Sequence, residues 1–466
     1  MSWPEHLDGK RALVYSMGIE GRDLASWLLS EGARVTMSDT RDHAALAAAG
    51  AGAPDGVEAV RTGEPLLDPE GFDVVAVSQS VLRSSPAMER VRRLKIPFTS
   101  QMRLFLQLCP AARIVGITGA SGKSTTTSLV GAMARAAGVD HILGGNLGTG
   151  GTMGAALLEQ LPRIRRDTLV ILEISHTQLQ YTDRSPAIAA VTNVTPNHLD
   201  QFSWDEYVGL KRHLLEYQGP EDVAVLNQDD QTSQALVPAV AGRLLRTSTG
   251  GAVEGEGGWI EEGHVAVRRD HRQQRVARLA DSPLRGAHNA ANIVMACCVA
   301  TAADVPAEAI SEGVRSFRGV PHRLETVGRA FGATWVNDSI ATTAERTVAG
   351  LDSYTEPIVL LLGGKEKDLP LDRLRERAAE RCRAVVCFGR AATLFFEALH
   401  DCIPECLRVE TLADAVAEAS RLVTEGDVVL FSPAATSFDA FPNFETRGEM
   451  FRDLVRKLEG FREASL

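Results

Sequence analysis

Short apolar runs alternate along the chain with stretches whose apolar residues recur at helical spacing. "RALVY" leads through a Gly-containing turn into "DLASWLL", and a second run follows in "ARVTMSDT". The pattern restarts at "ARIVGIT" and continues through "TLVILEIS", "IAAVTNV" and "VAVLN". Late in the chain it returns as "ATWVND", "PIVLLLGG", "AVVCFG" and "DVVLFSP". Brief apolar runs separated by helical stretches of about 10–15 residues predict α/β architecture with mostly parallel sheets. "GGAVEGEGGWIEEGHVAV" predicts a Gly-rich hairpin region inside the middle block. Ser203 and Glu206 stand at capping-box spacing, which predicts a helix from about residue 204. Borders near "CPAARIVG" and "SFRGVPHR" divide the chain into three domains, 1–107, 108–317 and 318–466.

Composition agrees with that division. A chain of 466 residues exceeds one ordinary domain, with about three as the expectation. With 44% hydrophobic and 23% charged residues it reads as globular. No apolar run approaches the ~18 residues of a membrane span, and the longest, "IVMACCVA", stops at Thr301. The N-terminal stretch has polar residues where a signal peptide needs apolar ones, so a cytoplasmic protein is expected. Seven cysteines (Cys109, Cys297, Cys298, Cys382, Cys387, Cys402, Cys406) contain no C-x-x-C pair, which favours reduced thiols. A net charge of −11 weighs against a nucleic-acid partner. Small anionic ligands are not excluded, since they feel local charge.

"GITGASGKSTT" carries the strongest chemistry. Gly119, Gly122, Lys123, Ser124 and Thr125 lie between a strand and a helix, the context of a phosphate loop. Backbone N–H groups there wrap phosphates, Lys123 supplies charge, and Ser124 can reach Mg²⁺, so ATP is the expected ligand. The loop is one residue longer than the general pattern, which would place glycine at Ile117. Glu173 ends the strand "TLVILE" at the carboxyl edge of the sheet, a natural position for a Mg²⁺ ligand. His198 also follows a strand, and Tyr207 and Lys211 share one helix face.

The lengthened loop, G-x-T-G-x-x-G-K-S, resembles that of the Mur ligases, ATP-dependent enzymes that add amino acids to the peptidoglycan precursor. "NVTPNHLDQF" is similar to the family's N-x-x-x-D-H-x-D segment, with Asn197 replacing its acidic residue. Lys211 falls where the family carries a carbamylated lysine. The resemblance thus implies two Mg²⁺ ions held by Ser124, Glu173, His198 and Lys211, with Lys123, Glu173, His198 and Lys211 as catalytic residues. "GAHNAANIVMA" and "GVPHRLETVG" resemble the H-N-x-x-N and G-x-x-H-R-x-E motifs. They imply Asn289 and Asn292 near adenine and Arg323 near phosphate or ribose, while Asp338 matches a ribose-binding aspartate.

Within the family, "LLLGGKEKDLPL" and "FSPAATSFDAFPNFETRGEMF" resemble the branch that adds D-glutamate. That branch implies Thr342, Lys367, Ser437 and Phe444 at the amino-acid site. It also implies a Rossmann-like N-terminal domain for a UDP-linked precursor, UDP-N-acetylmuramoyl-L-alanine. Ser16, Gly18, Ile19, Glu20, Asp39, Thr40, Arg41 and Asn146 would contact that precursor. The central domain would be the P-loop ATPase and the C-terminal domain Rossmann-like again, with the chain acting as a monomer. The resemblance implies an acyl-phosphate route to a new amide. Two departures bear on substrate choice. "NDSIATT" has Ile340 where the family has lysine, and "EISHTQLQ" differs at His176 and Thr177. Rival readings are a ligase for L-glutamate or another amino acid and a folylpolyglutamate synthetase-like ligase. Outside the ligases stand a nicotinamide-dependent dehydrogenase built on residues 1–107 and a non-catalytic nucleotide-binding regulator.

Overall fold

The computed structural model describes residues 3–48, 50–147, 156–199, 201–365 and 370–463. Among these, the strands form three sheets of five, nine and seven members. The chain gathers into two compact units, Met1–Asp281 with Ala291–Arg315, and Ser282–Ala290 with Ser316–Leu466.

The first sheet comprises Arg11–Tyr15, Arg34–Asp39, Ala59–Thr62, Val74–Val77 and Phe98–Ser100. All its pairings are parallel, in the order 3-2-1-4-5. Ala12 and Val14 pack into one core with Leu24 and Leu28, while Leu13 and Tyr15 enter another with Val75 and Met88. Both faces are covered, so "ALVY" reads as a continuous apolar run rather than an alternating one.

In the second sheet the strand Arg113–Thr118 lies between Ile188–Val191 and Leu169–Glu173, parallel to both. The sheet finishes in an antiparallel meander of Glu256–Glu261, His264–Arg269 and Arg272–Arg278. This is the expected Gly-rich hairpin, extended by one strand. The turn at Asp270 and His271 has positive φ at both residues, 51° and 60°, as a tight two-residue hairpin turn requires. Arg272, Gln273, Gln274 and Arg275 lie exposed on the edge strand.

The third sheet is parallel through its centre and antiparallel where Glu325–Ala330 meets Ala333–Asn337 and Arg462–Glu463. Ile358, Leu360 and Leu362 pack on one side of it, and Val359 and Leu361 on the other.

The helix expected after Ser203 runs Trp204–Arg212 and has the reciprocal Ser203–Glu206 capping bonds. "IVMACCVA" forms the interior of the 16-residue helix Ala287–Ala302, and Ile293 through Ala300 are buried. Burial around its circumference explains why it shows no amphipathic stripe. No helix among the described residues is long and apolar enough to cross a membrane. All seven cysteines are free thiols.

Candidate functional site

The phosphate loop is built by the strand Arg113–Thr118 and the helix Lys123–Ala136. Gly122 caps that helix with φ +80°, and a Cβ on it would lie 2.2 Å from Asn292 Oδ1. Only glycine fits both the backbone and the space. Lys123 Nζ donates to the carbonyls of Gly119 at 2.9 Å and Ala120 at 3.2 Å. Ser124 and Thr125 occupy the first helical turn, where the N–H groups are free of intrahelical partners.

Glu173 is the register partner of Ile117, two residues before Gly119. Its carboxylate is buried; Oε1 accepts from Asn146 Nδ2 at 3.1 Å, while Oε2 has no hydrogen-bond partner. An orphaned buried carboxylate oxygen beside a phosphate loop fits a hard cation.

Lys211 is buried, its Nζ donating to Thr118 Oγ1 at 3.1 Å and Gly119 O at 3.2 Å. The Gly119 carbonyl therefore serves two lysine amines. Burial, and then the charge of Lys123, hold the Lys211 amine well below the ordinary range despite the counteracting Glu173. A neutral amine is the form that reacts with CO₂.

His198 has left-handed backbone, φ +55°. Its ring stacks on His176 with centroids 4.0 Å apart, so one of the two departures in "EISHTQLQ" packs directly against an expected metal ligand. His176 Nε2 is buried with no hydrogen-bond partner. Burial, then His198, Lys211 and Lys123, push its pKa down to about 3, and the ring is neutral. Among the described residues no three His, Cys, Asp or Glu side chains cluster to hold a metal.

At the N-terminal turn, Ser16 takes φ +88° and its Oγ accepts from the Gly18 N–H at 3.2 Å. A Cβ on Gly21 would lie 1.9 Å from the Ser16 carbonyl oxygen, so the helix can start this close to the turn only with glycine there. Asp39 receives the Met17 N–H at 2.7 Å and the Arg41 guanidinium at 2.7 and 2.9 Å. Burial raises its pKa, but these bonds outweigh burial and hold the carboxyl below the usual range. Ile19 and Thr40 are exposed beside this turn. Glu20, in contrast, is buried and turned inward, accepting from Gln178 Nε2 at 2.7 Å.

The second unit holds another group of expected residues. Asp338 is buried, accepting from the Leu324 N–H at 3.2 Å and Ser432 Oγ at 2.8 Å. Burial raises its pKa to about 7, although these bonds and the charges of Arg323 and Arg346 oppose the rise. Thr342 donates its N–H to Ile340 O at 2.9 Å, and Arg346 Nη1 reaches the same carbonyl at 3.1 Å. Ser437 is buried. Phe444 opens the helix Phe444–Arg456, its ring set edge-to-face with His322 at a centroid separation of 6.2 Å. Lys367 lies outside the described residues. Asn289, near the start of the helix Ala287–Ala302, donates to Arg285 O at 2.7 Å. Asn292, one turn on, belongs to the first unit, where it lies against Gly122 of the phosphate loop.

Sequence reasoning passed over three organising side chains. Arg447 is fully buried and bonds Ser339, Gly363 and Ala435, gathering three separate loop ends. It stood in the string "FETRGEMF" without being singled out. Asn193 clasps the phosphate loop, accepting from the Ser121 N–H at 3.0 Å and donating to its carbonyl at 3.2 Å. Gln79 contacts Glu20, Asn146, Ser175 and Thr177. Its position after the strand Val74–Val77 was the one signal available.

Comparison with known proteins bears on this arrangement. The family model described as Mur ligase middle domain matches residues 117–300, and that described as Mur ligase, glutamate ligase domain matches 322–435. A protein of Symbiobacterium thermophilum named UDP-N-acetylmuramoylalanine--D-glutamate ligase is 36% identical, over 96% of this chain and 98% of its own. A protein of the same name from Koribacter versatilis is 35% identical, over 97% and 98%. The crystal structure of MurF from Acinetobacter baumannii shares the fold at TM-score 0.59 and 15% identity, covering 96% of this chain and 92% of its own. From phosphate loop to C-terminal sheet, the chain belongs to the Mur ligase family.

Proposed function

We propose that this chain joins D-glutamate to UDP-N-acetylmuramoyl-L-alanine, converting ATP to ADP and phosphate. The observation that carries the substrate assignment is the near full-length likeness to relatives bearing that ligase name. The reading divides the chain into a UDP-precursor domain (1–107), an ATP domain (108–317) and an amino-acid domain (318–466). One sheet in each stretch supports that division. The chain would act as a monomer in the cytoplasm.

A free carboxylate is a poor electrophile, so the terminal alanine carboxylate takes the γ-phosphoryl group of ATP and ADP leaves. The amine of D-glutamate then attacks the acyl carbon. The C–N bond forms, the C–O bond to phosphate breaks, and the amine loses a proton. Lys123 and the N–H groups of the loop hold the phosphates as charge shifts toward the leaving ADP. Two Mg²⁺ ions would neutralise phosphate charge, one held by Ser124 and Glu173, the other by His198 and a carbamylated Lys211. The orphaned Glu173 Oε2 and the buried Lys211 amine, which burial holds well below the ordinary range, support those positions. Asn289, Asn292, Arg323 and Asp338 would hold the adenosine end. Ser16, Gly18, Ile19, Glu20, Asp39, Thr40, Arg41 and Asn146 would serve the precursor. Thr342, Lys367, Ser437 and Phe444 would form the amino-acid site.

The test is incubation with ATP, Mg²⁺, UDP-N-acetylmuramoyl-L-alanine and single D- or L-amino acids, followed by phosphate release and product mass. D-Glutamate should stand out. Preference for L-glutamate or a basic amino acid would overturn the assignment, and ATP binding without phosphate release under any combination would point to a regulator.

A further inference from the structure

A continuous polar chain crosses the first unit from the N-terminal turn to the edge of the phosphate-loop sheet, and Gln79 is its midpoint. The Gln79 N–H donates to Glu20 Oε2 at 2.7 Å, and its Nε2 donates to Glu20 Oε1 at 3.1 Å. The same Nε2 makes a longer contact, 3.4 Å, with Asn146 Oδ1. Its Oε1 accepts from two hydroxyls, Ser175 Oγ at 2.7 Å and Thr177 Oγ1 at 2.9 Å. Gln178 closes a loop back to the start, with Nε2 on Glu20 and Oε1 on the Ser175 N–H.

On the far side, Asn146 is fastened to Glu173 twice. Its N–H donates to the Glu173 carbonyl at 2.8 Å, and its Nδ2 donates to Glu173 Oε1 at 3.1 Å. These partners fix the Gln79 amide, which must present its nitrogen to the Glu20 carboxylate and the Asn146 oxygen and its own oxygen to the hydroxyls. The Asn146 amide is oriented in turn, oxygen toward Gln79 and nitrogen toward Glu173. The result leaves Glu173 Oε2 as the oxygen of that carboxylate with no hydrogen-bond partner.

We propose that Gln79 is a positioning residue that sets the orientation of Glu173 through Asn146 and ties it to Glu20, coupling the precursor turn to the nucleotide side. The inference rests on the functional reading above for the identity of the two ligands. Any shift of Glu20 on precursor binding moves two bonds on Gln79, and a shift of Gln79 frees the Asn146 amide to rotate. Coupling of this kind is reciprocal, since each ligand changes the affinity of the other by one common factor.

The experiment measures calorimetric affinity for UDP-N-acetylmuramoyl-L-alanine with and without Mg²⁺ and a non-hydrolysable ATP analogue. It uses the full chain and its Gln79→Met and Thr177→Val variants. In the unaltered chain the analogue should change precursor affinity by about fivefold or more. Gln79→Met should reduce that factor to near one and raise the Mg²⁺ concentration for half-maximal activity, with KM for D-glutamate unchanged. Thr177→Val, which removes one hydroxyl donor and keeps the fold under milder strain, should reduce the factor partway. Coupling absent from the unaltered chain, or retained in both variants, would overturn the proposal. The coupling factor is a binding measurement that needs no turnover, so absence of product with D-glutamate would sink the functional reading separately.

Discussion

Arg447 grips Ser339 at two points, Nε to Oγ at 3.1 Å and Nη2 to the carbonyl at 2.8 Å, across 108 residues of chain. Its Nη1 reaches Ala435 O at 3.0 Å and Gly363 O at 3.3 Å. The three segments so gathered lead into Thr342, Ser437 and the stretch toward Lys367. A lysine keeps the charge but cannot supply a planar fork of donors. Arg447→Lys should therefore raise KM for D-glutamate roughly 10-fold or more through misplaced loops, with ATP binding retained. Arg447→Met should cost about 3 kcal/mol of stability by leaving buried carbonyls unpaired, read from urea unfolding. An unchanged KM in the lysine variant would remove Arg447 from the amino-acid site.

Asp338 links stability to pH. Its folded pKa of about 7 stands above the ordinary 3.8, so the folded state binds the proton more tightly than the unfolded state between those values. Stability contributed by the neutral carboxyl is complete below pH ~4 and is lost as pH rises through about 7, on the order of 4 kcal/mol at most. Asp338→Asn should be more stable than the parent at pH 8.5 and equal to it near pH 4, while losing ATP affinity. Equal unfolding midpoints at pH 8.5 would contradict the burial argument.

Gly122→Ala should weaken ATP binding roughly 10-fold or more, because the new methyl group would sit 2.2 Å from Asn292 Oδ1 on a backbone with φ +80°. Equilibrium titration with a fluorescent ATP analogue measures this. Far-ultraviolet circular dichroism should show that the fold is kept.

Ile340 stands where the resemblance calls for lysine, and Arg346 already brings a guanidinium to the Ile340 carbonyl. We expect compensation. Ile340→Lys should leave KM for D-glutamate within about twofold, whereas Arg346→Ala should raise it roughly 10-fold, the scale of one charge-assisted bond. A large gain from the added lysine would mean that the loop is short of charge.

Local chemistry was the part most legible in the sequence. The strands around "GITGASGKSTT" follow from β-type apolar runs, and Ser203 with Glu206 marked a helix start that the structure reproduces. The place of Glu173 at the sheet edge followed from where an apolar run gives way to polar residues. What stayed hidden depends on distance along the chain. Arg447 and Ser339 meet only because a helix near the C-terminus packs under an earlier loop, and no local pattern records that. Gln79 is a plain polar residue after a strand until folding brings Glu20 and Asn146 to it. His176 was visible as an oddity, but its stacking on His198 requires two loops to converge.

The meander that ends the nine-stranded sheet has a practical use. Its last strand lies six positions from Arg113–Thr118 in the strand order, or about 29 Å at ~4.8 Å per step. The Asp270–His271 turn at that margin is thus a handle. A short affinity tag inserted there would capture the chain on a surface without entering its chemistry.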